Sequence, residues 1–152
     1  MRDVSGWLKR HTIQIQALTG LVTMLVAVAA LVGVKWQVDA SARLQREQSA
    51  RDIYREYLNL SIARPELARP DYCAIIGAPA EPAYESYVDY MLYTAEQAIA
   101  ADPVWRTAFE RNLAAHSAYI CRINDWSDYG DDVQAMVSAF RTQRCGTVPP
   151  CR

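Results

Sequence analysis

A chain of 152 residues has the length of one domain, and 16 basic against 17 acidic residues leave a net charge of -1. That balance supplies no cationic excess for neutralising phosphates, so nucleic acid is excluded as an expected partner. Only Lys9 and Lys35 among the basic residues are lysines, a bias expected of a GC-rich bacterial gene that points to no function.

The first element in chain order is an uncharged run, Thr12 to Val34, whose core reads ALTGLVTMLVAVAALVGV from Ala17. At about 1.5 Å of rise per residue, roughly 20 helical residues cross the ~30 Å hydrocarbon layer of a bilayer, so the run is long enough to span it. Lys9, Arg10 and His11 stand at one end and Lys35 at the other, with Trp7 and Trp36 where amphipathic rings meet the headgroups. Ala27-Val28-Ala29 resembles a signal-peptidase site, but with Met1 and the whole run retained the segment is read as an uncleaved anchor. Basic residues lie on both sides, so the positive-inside count is a tie. The cysteines, all beyond the run, favour a cytoplasmic N-terminus at a bacterial inner membrane and a periplasmic C-terminal domain.

Gly20, Thr23, Ala27 and Ala30 recur at steps of three, four and three along one side of this helix. Small side chains let helix backbones approach closely in lipid, which makes this stripe a candidate packing face. Alanine and glycine are also common in any membrane span.

From Gly33 to Pro65 no glycine or proline intervenes, so the anchor is expected to continue as helix through a polar stretch with Arg43, Glu47 and Arg51 four apart. Ile53, Tyr54, Tyr57, Leu58 and Leu60 then form an apolar face. Pro65 and Pro70 bracket a short helical turn, and Cys73 to Pro82 reads as a loop. A helix follows from about Glu81 to Ala101, with Tyr84, Val88, Met91, Ala95 and Ala98 or Ile99 as its inner stripe. Asp102 caps the next, with Pro103 at its first position, and Trp105, Phe109, Leu113, His116 and Ile120 give it one inner face as far as Cys121. Asp131 or Asp132 opens a last helix ending near Cys145. The expected fold is all-α: a single N-terminal transmembrane helix continuing into a small bundle of about four helices. Its parts are a tail (1–11), the span (12–36), a polar stalk (37–52), the bundle (53–144) and a cysteine-bearing tail (145–152).

Four cysteines, Cys73, Cys121, Cys145 and Cys151, are an even number in a small domain and are candidates for two disulfides. Three connectivities are open. The five-residue loop between Cys145 and Cys151, rich in glycine and proline, favours a local bridge there and a second one between Cys73 and Cys121. No close-set CxxC pair supports a zinc site with His116, which sits on an apolar stripe as a structural histidine usually does. The acidic cluster at Asp125, Asp128, Asp131 and Asp132 lacks the closing glutamate of a calcium loop. No nucleophile elbow, phosphate loop or HExxH occurs, so no catalytic, cofactor or metal residue is assigned and no cofactor is expected.

Tyr84, Tyr87, Tyr90 and Tyr93 recur every three residues, which turns each about 60° short of the last on a helix, so they do not share one core. They are candidate interface residues, since a rigid ring with a polar tip suits contact surfaces. These features point to a non-catalytic accessory or scaffold subunit with a membrane-protein partner or a homo-oligomer as its assembly. The alternative is an anchored sensor of ligand or redox state. It would have to signal through a partner, because the 11 residues before the span are too few to fold as an output.

Overall fold

The computed structural model describes residues 3–151, with side chains from Leu18 onward. The side chains of Trp7, Lys9, Arg10 and His11, expected to mark one end of the span, lie outside the described residues. Every long element is a helix, and no strand occurs among the described residues. The protein is all-α. The chain divides into two compact units, Met1–Leu44 and Gln45–Arg152, and helix α1 (Asp3–Ala63) contributes residues to both.

In the first unit every side chain from Leu18 to Leu44 is exposed, including Met24 and Leu31 at about 70 % of their full surface. From Leu18 on, α1 is long and apolar enough to cross a membrane, with a mean hydropathy of 2.1 in its most apolar window. Thr23 turns its hydroxyl back onto the Thr19 carbonyl (2.8 Å), which satisfies the donor without solvent. A Cβ added at Gly20 or Gly33 would meet nothing within 4 Å among the described residues beyond the helix's own backbone.

The second unit has a core of its own. The last turns of α1 bury Ala50 and Tyr57 and half-bury Tyr54 and Leu60, a spacing that fits one helix face. Burial therefore begins within the stretch expected to be a polar stalk, whereas Leu58, expected inside, is exposed. Helix α2 (Pro65–Ala68) is the proline-bracketed turn, and it buries Leu67. The segment read as a loop contains one helical turn, α3 (Tyr72–Ile75), because Tyr72 anchors it in the core; the loop begins after it, at Gly77 with φ +73°.

Helix α4 (Glu81–Ala101) has the bounds its apolar spacing predicts and is the central element, burying nine side chains from Tyr84 to Ile99. Asp102 accepts a hydrogen bond from the Val104 amide (3.0 Å), as a helix cap should, and Pro103 follows it. The helix expected from there to Cys121 is broken. A 3-10 turn at Pro103–Trp105 leads into α5 (Arg106–Leu113), and a second at Ala114–His116 separates it from α6 (Ser117–Arg122). At three residues per turn Leu113 and His116 eclipse each other, so both point into the core, which an unbroken α-helix would not achieve as fully.

Helix α7 (Asp131–Arg144) starts at Gly130, with Asp131 and Asp132 in its first turn and Arg141 and Arg144 in its last, signs that suit the helix dipole. Arg141 also donates to the Ile120 carbonyl and to Asn124 Oδ1, both at 2.8 Å, closing the C-terminal end of α6.

Candidate functional site

All four cysteines are paired, but not in the favoured arrangement. Cys73 bonds Cys151 and Cys121 bonds Cys145, with Cα–Cα distances of 5.1 and 5.4 Å. The local Cys145–Cys151 bridge is corrected by the packing of α6 against α7: this sets the start of the C-terminal tail beside Cys121, and the tail then runs on to α3. Loop-closure entropy assigns about 3.4 kcal/mol to the bridge spanning 24 residues and about 4.5 kcal/mol to the one spanning 78.

Both bridges line a groove of about 620 Å³, floored by Ile76 and Ala118 and walled by Val148, Pro149 and Pro150. Its one charged side chain is Arg122, which donates to the Tyr72 hydroxyl (2.8 Å), lies over that ring and stands 3.8 Å from Glu81. With the sulfurs bonded and the guanidinium held by Tyr72, the groove contains no nucleophile and no base.

The polar centre of the core is a hydrogen bond of 2.9 Å between the Tyr84 hydroxyl and His116 Nδ1, both residues almost wholly buried. Burial alone pushes the imidazole down to about 4, so it is neutral at pH 7. Burial also pushes the Tyr84 phenol up, reinforced by the nearby Tyr119, Tyr72 and Tyr87. Rings of Tyr72, Tyr119 and Tyr87 surround the pair at centroid distances of 5.5–5.7 Å. His116 is thus a satisfied structural histidine inside an aromatic cluster. Reading the sequence for motifs missed Tyr72, Tyr119 and Arg122, whose roles arise from contacts 47 or more residues apart between Tyr72 and the α6 region.

The four tyrosines of α4 separate as their 60° offsets require, and two of them are corrected. Tyr84 and Tyr87 are core residues, Tyr87 bonding Ser61 at 2.6 Å, because α4 is covered on more than one side. Tyr90 is half-buried and reaches Glu56 (3.3 Å), and Tyr93 is exposed. The interface candidates reduce to these last two. Gly20, Thr23, Ala27 and Ala30 all lie on the exposed surface of α1.

The acidic stretch before α7 is a turn: Asp125 accepts from the Ser127 amide (3.0 Å), and Tyr129 donates to Asp89 (2.8 Å). Among the described residues no three His, Cys, Asp or Glu side chains group as metal ligands. The class defined by these features is a disulfide-stapled helical domain that follows a helix long and apolar enough to cross a membrane. Compared with family models, curated proteins and solved structures, the chain matches none.

Proposed function

We propose that the chain is a single-pass membrane protein and a non-catalytic accessory or scaffold subunit of a larger membrane assembly. The observation that carries this reading is the first unit: residues 18 to 34 of α1 hold their apolar side chains exposed, none of them buried against the other described residues. Apolar surface of that extent is stable in lipid and against other membrane helices, not in water. The two disulfides support an oxidising compartment for the helical domain, the periplasm if the membrane is a bacterial inner membrane. The accessory role is supported by a groove whose sulfurs are bonded and whose charged side chain, Arg122, is held by Tyr72. Purification of the full chain in mild detergent tests it. A stoichiometric second membrane protein is expected, and the chain recovered with no other protein would contradict the reading.

A further inference from the structure

The two disulfides are held in place in unlike ways. Cys121 lies in the last turn of α6 and Cys145 directly after α7, and these helices pack together without the bond. Helix α6 buries Tyr119 and Ile120, α7 buries Val137 and Phe140, and Arg141 of α7 donates to the Ile120 carbonyl and to Asn124 just past α6. With that disulfide cut, its two sulfurs remain neighbours. Cys73 is likewise fixed, beside the buried Tyr72 in α3, but its partner is not. Cys151 follows a strap of five residues, Gly146 to Pro150, which leaves α7 beyond Cys145 and crosses to α3. Among the described residues no hydrogen bond joins Pro149, Pro150 or Cys151 to the rest of the domain, and the two prolines have no N–H to give. Pro149 and Pro150 are exposed, and Val148 and Cys151 are half-buried. With its disulfide cut, the strap keeps only the contacts of those last two side chains.

A disulfide resists reduction to the extent that the fold keeps its two thiols together once the bond is cut, which is their effective concentration. That concentration is high for Cys121 with Cys145 and low for Cys73 with Cys151, whose strap swings from Cys145. The loop-closure entropy of the bridge spanning 78 residues is a ceiling on its stabilisation, reached only when the cut ends stay adjacent. Cys73 is exposed, so attack on its sulfur is open.

We propose that Cys73–Cys151 is a thiol–disulfide exchange site for a dithiol protein, and that its reduction swings the strap away from the groove floor at Ile76 and Ala118 while Cys121–Cys145 stays closed. The site belongs to the helical domain alone and does not depend on the membrane reading. The reductant's thiolate attacks Cys73 Sγ to form a mixed disulfide, the bond to Cys151 breaks, and Cys151 leaves as a thiolate that takes a proton from water. The reductant's second thiol loses its proton and attacks the reductant sulfur of the mixed disulfide, releasing Cys73 as a thiolate that is protonated in turn. The bridge gains two electrons and two protons, and the reductant loses them as it closes its own disulfide.

The test is a titration of the full chain in mild detergent with reduced and oxidised dithiothreitol, the thiols being trapped by acid and alkylation and located by peptide mass. Cys73 and Cys151 should be half-labelled at a reduced-to-oxidised ratio at least about tenfold below the one that Cys121 and Cys145 need. In that partly reduced chain the amides of Thr147 and Val148 should exchange hydrogen faster, with those of α6 and α7 unchanged. The double variant Cys73→Ser, Cys151→Ser should show the same fast exchange with no reductant present. At equal thiol concentration, reduced thioredoxin should open Cys73–Cys151 faster than dithiothreitol does. Reduction of both bridges at one ratio, reduction of Cys121–Cys145 first, exchange at Thr147 and Val148 unaltered by reduction, or slower opening by thioredoxin overturns the proposal.

Discussion

Leu31 and Leu113 are the same side chain under opposite conditions. Leu31 keeps 71 % of its surface open in the first unit, and Leu113 keeps none in the second. The second unit hides its apolar residues from water by folding around α4 and stapling the result with two disulfides. Among the described residues of the first unit, Leu18 to Leu44, none is buried, so their apolar side chains depend on whatever surrounds them. Stability in this protein is therefore intrinsic in one region and borrowed in the other.

The largest effect that sharpens this contrast is expected from the long disulfide. Replacing Cys73 and Cys151 together by serine should lower the unfolding free energy of the helical domain by up to about 4.5 kcal/mol in denaturant titration, leaving membrane association intact. Leu113→Ala should cost the same domain about 2–5 kcal/mol, because the cavity is enclosed.

Acid provides the next test. The imidazole of His116 has a folded pKa of about 4, below its ordinary 6.5, so the unfolded chain binds the extra proton first. Stability contributed by the neutral ring is full above pH 6.5 and is lost as pH falls toward 4, by about 3 kcal/mol at 1.36 kcal/mol per unit. His116→Gln should flatten the stability profile over that window even though it lowers stability at neutral pH. Asp102→Ala, which removes a cap to the Val104 amide, should cost about 1 kcal/mol. Smallest of all, Leu31→Ala should change domain stability by less than about 0.5 kcal/mol. A loss there comparable to that of Leu113→Ala would break the contrast between the two regions.

Local signals carried further than long-range ones. The bounds of α4, the Asp102-Pro103 start and the acidic opening of α7 were legible because propensity, capping and apolar spacing agree at those places. The break between α5 and α6 was not legible, since the same stripe from Trp105 to Ile120 fits one helix or two, and the contact that accompanies the break, His116 with Tyr84, joins residues 32 apart. The cysteine pairing was illegible for a related reason. Closeness in sequence favours Cys145 with Cys151, but proximity in space is set by how α6, α7 and α3 pack. Tyr84 is legible as core from the inner stripe it heads, but Tyr87 is not, because the three-residue step says that the rings diverge without saying how many sides of α4 are covered. Of the groove, only its cysteines were visible beforehand; Arg122 carries no local mark.

The central claim is that α1 anchors the chain in a membrane and leaves the helical domain on the oxidising side. An alkaline phosphatase fused to the C-terminus reports both at once, since that enzyme needs its own disulfides to be active. The account predicts activity that stays with carbonate-washed membranes. An inactive fusion, or activity released by the wash, would contradict it.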